Sequence, residues 1–312
     1  MNYYEQKSRR SRFMGDLGNN SLIMLISILL VVFVMFSMVN IFYFFSYPVS
    51  EARVHFYNDI YVNLALPASF GEFIRKPWTL ISYMLYHFEV WHLIGNLIWL
   101  WVFGYLLHDL TGNRKVIPIF IYGGLGGALA FMLTYNFIPA LYGEGIGNVN
   151  MVGASAGVMA IAIAITVIAP GYRLFTFING GIPLWVITLI FIVIDLAMLP
   201  RNNHGGHIAH IGGALTGYLF MVFYRRGYDG SVWMNNLYDW VLNLFNPDKP
   251  SRKAKPMKEQ LFYKSGSAPY SKTLNLTQQR VDEILEKIHQ KGYDSLTNEE
   301  KELLKRASKE DL

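Results

Sequence analysis

The 312-residue chain contains no cysteine, which excludes disulfides, thiolate catalysis and cysteine-ligated metal. It is also poor in charge. Asp, Glu, Lys and Arg make up 16% of it, against about 25% in ordinary globular chains. Hydrophobic residues make up 53%, and the charge deficit falls in long apolar runs. That combination excludes an average soluble domain and points to a polytopic membrane protein. The net charge of +5 is not a nucleic-acid footprint, because Lys and Arg cluster outside the apolar runs. The first run is longer than a signal-peptide core and lacks a clear small-residue cleavage site, so it reads as an uncleaved first span.

A spanning helix needs about 20 mostly apolar residues. Six segments qualify: Ser21–Tyr47, Val90–Leu110, Val116–Ile138, Met151–Pro170, Ile182–Pro200 and His204–Tyr224. Lys7, Arg9, Arg10 and Arg12 precede span one, Arg114 and Lys115 follow span two, Arg173 follows span four, and Arg225 and Arg226 follow span six. All lie on one side if the spans alternate, so both termini are expected in the cytoplasm. Arg53, Arg75, Lys76 and Arg201 fall on the other side, the first three in a loop that also holds Glu51, Asp59 and Glu72. That loop, Val49 to Glu89, is aromatic and only half apolar, which suits the outer interface. Three domains are expected: a cytoplasmic segment 1–20, a membrane domain 21–226, and a cytoplasmic linker and helical tail 227–312. In the tail, Val232 to Phe245 is amphipathic, and Pro247, Pro250 and Pro256 mark the linker. Val281, Ile284, Leu285 and Ile288 repeat at helical spacing up to Gly292, and Thr297 with Glu300 forms a capping box.

Polar residues are rare in the spans, and their placement is uneven. Span two carries His92 and Asn96, span four Ser155, and span six His204, His207 and His210. All sit near the outer ends of helices that enter from the outside. His210 is about 9 Å into its helix at about 1.5 Å per residue. Intramembrane ionisable groups commonly mark function. Ser155 stands between Gly153, Ala154, Ala156 and Gly157, near the first turn of its helix, where free amides and the positive helix end favour an oxyanion. Gly213 and Gly217 follow His210 on one face as a G-x-x-x-G pair, which allows close packing. If the neighbour is span four, with Gly153 and Gly157, then Ser155 and His210 can meet as an activated nucleophile.

These residues resemble the rhomboid family of intramembrane serine proteases. The family's G-x-S-G reads Gly153-Ala154-Ser155-Ala156 here, its A-H-x-x-G-x-x-x-G reads Ala209 to Gly217 in full, and its H-x-x-x-N reads His92 to Asn96. Ala156 in place of the last glycine is the main departure. The resemblance covers about residues 60 to 226. It implies an all-α polytopic membrane protein, a six-helix rhomboid-like bundle, here with a cytoplasmic helical tail. It implies Ser155 as nucleophile, His210 as general base, and His92 and Asn96 with the Ser155 amide as oxyanion donors. It implies transmembrane protein substrates cut near the outer membrane face, in a bacterial inner or other plasma membrane, with no cofactor and no nucleic-acid partner. Asp195 in span five could orient His210, but the resemblance implies no such acid. His204 and His207 have no matching carboxylate in sequence, so no metal is expected. His87, Glu89 and Trp91 read as interfacial anchors. The competing readings are a transporter, which should show internal repeats, and a catalytically inactive client-binding membrane protein.

Overall fold

The computed structural model describes residues 20–138, 141, 149–200, 203–242, 244 and 278–308. The basic segment 1–19, Arg201 and the proline-marked linker lie outside the described residues. The chain divides into two compact units, Met1–Asn246 and Pro247–Leu312.

The first unit is a helical bundle. Helix α1 (Ser21–Ser46) starts at Asn20, whose Oδ1 accepts the amides of Leu22 at 3.0 Å and Ile23 at 3.3 Å. It buries Leu22, Leu25 and Leu29 and leaves Val31, Met38 and Phe42 exposed, as a lipid-facing helix must. The first loop is helical: α2 (Val49–Phe56), running on through a π stretch (Tyr57–Tyr61) and Val62–Leu64, then α3 (Phe70–Arg75) and α4 (Thr79–Leu85). Between them β1 (Leu66–Pro67) pairs antiparallel with β2 (Asn150–Met151), Leu66 opposite Met151. Tyr83 of α4 donates its hydroxyl to the Gly124 carbonyl at 2.6 Å, and its own carbonyl accepts the Gly153 amide at 2.8 Å. The loop is thereby fastened to the residues just before Ser155.

The other membrane helices are α5 (Val90–Thr111), α6 (Val116–Phe137), α7 (Ser155–Ile168), α8 (Leu184–Met198) and α9 (His204–Arg225). Helices α1, α5, α6 and α9 are long and apolar enough to cross a membrane, whereas α7 and α8, of 14 and 15 residues, are shorter apolar helices. The sequence reading gave both too much length. Helix α7 cannot begin before Ser155 because Gly153 has φ +123°, and it stops ahead of Pro170, which disfavours helical backbone at the residue before it. Part of the segment between α7 and α8 folds as a hairpin, β3 (Arg173–Leu174) with β4 (Ile182–Pro183).

Small residues set the packing of α6, α7 and α9. A Cβ added at Gly213 would strike the Ala156 carbonyl oxygen, and one at Gly217 the Ala160 carbonyl oxygen. A Cβ at Gly212 would come within 2.6 Å of the Gly126 carbonyl oxygen and the Ala130 methyl. Backbones this close gain dispersion contacts that bulkier residues would prevent, which is the main attraction available between helices in lipid.

Helix α10 (Val232–Leu242), read from sequence with the tail, groups with this first unit. Lys115 supplies part of the reason, bonding the Asp229 carboxylate and the Ser231 hydroxyl, the latter at 2.8 Å. Tyr122 adds a hydroxyl bond to the Gly230 carbonyl at 2.9 Å.

In the second unit α11 (Gln278–Lys291) and α12 (Asn298–Ala307) close on a small core of Ile284, Leu296 and Leu303. The capping box forms: Glu300 accepts the Thr297 amide at 2.8 Å, and the Thr297 hydroxyl accepts the Glu300 amide at 3.3 Å. Lys287 bridges the helices to Glu300 at 2.8 Å.

Candidate active site

A cavity of about 1030 Å³ enters the first unit beside the first loop and is lined by His92, Asn96, Gly153, Ser155 and His210. These come from α5, the turn before α7, α7 itself and α9, so the fold gathers the polar residues of three separate helices at one place. A smaller cavity of about 200 Å³ continues between α5, α7 and α8, where Ser155, His210 and Asn96 reappear with Asp195.

Ser155 is the first residue of α7. Val158 is the first to donate back within this helix, to Ala154 at 3.0 Å, so the amides of Ser155, Ala156 and Gly157 precede any intrahelical partner. Together with the helix macrodipole they make the floor of the cavity a place that favours negative charge. No hydrogen bond joins Ser155 to His210 among the described residues. Such bonds are often long in ligand-free enzymes and close only with substrate bound.

Gly153 and Gly157 do not share the seam made by Gly213 and Gly217. A Cβ on Gly153 would stand 2.6 Å from His92 Cε1, and one on Gly157 would meet the Phe120 ring at 2.6 Å. Gly153 therefore shapes the wall that holds His92, and Gly157 admits α6. Ala156 has room for its extra methyl because Gly127 lies opposite: a Cβ there would be 2.6 Å from the Ala156 methyl.

Two further polar residues are buried beside this site. His87, expected as an interfacial anchor, is 2% exposed. Its Nε2 accepts from Asn96 Nδ2 at 2.8 Å and from the Ala154 amide at 3.3 Å. Both partners are N–H donors, so this nitrogen carries no proton. Asn96 thus spends one N–H on His87 and keeps the other. Glu89 and Trp91, by contrast, are exposed as expected of anchors. The second residue is Asp195, buried in α8 at 5% exposure. Its Oδ1 lies 2.8 Å from Nδ1 of His210 and 2.8 Å from Nδ1 of His207. The carboxylate missing from the sequence pattern is therefore supplied by another helix. Asp195, His207 and His210 place their ligand atoms within 4.8 Å of one another, a set that could hold a metal ion, though the 2.8 Å separations are those of hydrogen bonds. His204 instead bonds the Leu199 carbonyl.

His87 lies in the loop before α5, and burial, reinforced by neighbouring His92, pushes its imidazole down from the ordinary 6.5 to about 4. Between those values the folded protein binds fewer protons than the unfolded chain. The contribution is thus fully present above pH 6.5 and is lost as pH falls toward 4. The melting temperature of the parent should fall from pH 7 to pH 5, and that fall should be smaller in His87→Gln. Coincident pH profiles of thermal unfolding for parent and variant would remove this role from His87.

A bundle of long apolar helices, with a Ser- and His-lined chamber at the head of a shortened central helix, defines a polytopic helical membrane protein with a polar cavity. Residues 75–227 match the rhomboid domain, and this chain belongs to the rhomboid family. Residues 268–310 match a second family, described as DUF6576 and of unknown function. Among curated relatives, RHOMBOID-like protein 12, mitochondrial, of Arabidopsis thaliana is 24% identical over 48% of this chain and 47% of its own length. Rhomboid-related protein 2 of Mus musculus is 30% identical, with 46% of each covered. Rhomboid protein 1, mitochondrial, of Saccharomyces cerevisiae is 26% identical over 48% of this chain and 42% of its own length. The chain thus spans less than half the length of these relatives. Two of them carry mitochondrial names, so the likeness supports a membrane protein without fixing which membrane.

Proposed function

We propose that this protein is an intramembrane serine endopeptidase that cleaves transmembrane protein substrates near the outer membrane face. The observation that carries the reading is the convergence of Ser155, His210, His92 and Asn96 from three helices on one cavity. Ser155 Oγ attacks the scissile carbonyl while His210 takes its proton and later returns it to the leaving amine. The tetrahedral oxyanion is stabilised by the Ser155 amide, His92 and the N–H of Asn96 that His87 leaves free. Water entering from the outer side then hydrolyses the acyl-enzyme. The positive-inside pattern supports cytoplasmic termini; a bacterial inner membrane is part of the proposal. No cofactor enters the scheme.

A fluorophosphonate probe tests this directly. The purified parent should be labelled covalently, and Ser155→Ala should lose the label. A parent that resists labelling, or a variant labelled as strongly as the parent, overturns the reading.

A further inference from the structure

We propose that Asp195 is the positioning residue of His210, completing a Ser–His–Asp relay across α7, α9 and α8; this rests on the endopeptidase reading above. An ionised carboxylate only accepts hydrogen bonds. Each imidazole 2.8 Å from Asp195 Oδ1 therefore donates from Nδ1. In the neutral ring that leaves Nε2 of His210 as the unprotonated nitrogen, the one able to take a proton from Ser155. The bond also fixes the ring plane of a side chain that is otherwise partly exposed in the cavity. A carboxylate buried among membrane helices is costly unless it is paired, and here two histidines pair it. His207 lies one turn before His210 on the same helix and shares the same oxygen, so the carboxylate stays paired while His210 moves its proton.

The test joins kinetics to a spectroscopic signature. In full-length protein, Asp195→Asn should lower kcat for a single-span substrate on the order of tenfold or more while KM stays within about twofold. Asp195→Glu, which keeps a carboxylate, should recover part of that loss. Separately, nitrogen-15 imidazole spectra of the Ser155→Ala protein should show His210 protonated at Nδ1, with mixed tautomers once Asp195→Asn is added. The first of these spectra needs no Asp195 variant, so it decides the matter even if Asp195→Asn fails to fold. His210 protonated at Nε2 in that spectrum, or an Asp195→Asn kcat within about twofold of the parent, overturns the proposal. If the parent shows no Ser155-dependent cleavage, the endopeptidase reading falls instead, and the tautomer still reports on Asp195.

Discussion

Ser155→Ala, His210→Ala and the double variant should be almost equally inactive, each on the order of 10⁴-fold or more below the parent in cleavage rate. On the proposed endopeptidase reading, nucleophile and base act as a unit. Removing Ser155 leaves His210 with no proton to take, and removing His210 leaves a hydroxyl that is a poor nucleophile near neutral pH. The second deletion then has nothing left to remove. The residues also reach the same cavity from different helices, α7 and α9, so neither substitution should disturb the packing that places the other. Cleavage of a model single-span substrate in liposomes measures this. Residual activity in Ser155→Ala on the order of a tenth of the parent would sink the idea of a unit.

Gly213→Val should abolish cleavage and lower the melting temperature, although valine suits lipid well. Gly213 lies against the carbonyl of Ala156, the residue after Ser155, and that oxygen belongs to helix backbone and cannot swing aside. Adding two methyls and a Cβ must force α9 away from α7. Overpacking of this kind costs about 1–3 kcal/mol. A shift of about 1 Å between reacting groups costs on the order of 10²-fold in rate. Helix propensity cannot produce the loss, since valine is the better helix former of the two. Leu219→Val, at an exposed position on α9, is the control and should be nearly neutral. Thermal unfolding and cleavage of both variants decide the point: a Gly213→Val protein as stable and active as the parent would mean that the tight seam does not limit the geometry.

Apolar length in the sequence marks α1, α5, α6 and α9, which are long enough to cross a membrane, and glycine spacing marks a close-packing face on α9, because both depend on properties local to one helix. The ends of α7 were less legible. Its flanks, from Met151 to Ala154 and around Pro170, are apolar enough to pass as span, and only the turn at Gly153 shows that the helix starts at Ser155. Gly213 and Gly217 lie against the backbone of α7, whereas Gly157 faces Phe120 and Gly153 faces His92, since a run of small residues gives no direction on its own. The partners of His87, and the second histidine beside Asp195, are hidden in the sequence for a related reason. His87 and Asp195 are each a single polar residue whose partners lie on other elements: Asn96 and Ala154 for the one, His207 and His210 for the other. Hydropathy registers such a residue as a cost, and only the fold shows what offsets it. The Thr297–Glu300 capping box was easy by comparison, because its two residues are three apart on one helix.

The brevity of α7 has an electrostatic consequence. Its 14 residues extend about 21 Å, against about 30 Å for the hydrocarbon layer. The helix is therefore about 9 Å shorter than that layer, and the cavity opens at its first residue, Ser155. A charge at the middle of an intact bilayer is costly. On the endopeptidase reading, a helix that starts at an open cavity brings high-dielectric surroundings to Ser155. Charge that forms beside Ser155 in the proposed reaction is then spared the full cost of transfer into oil.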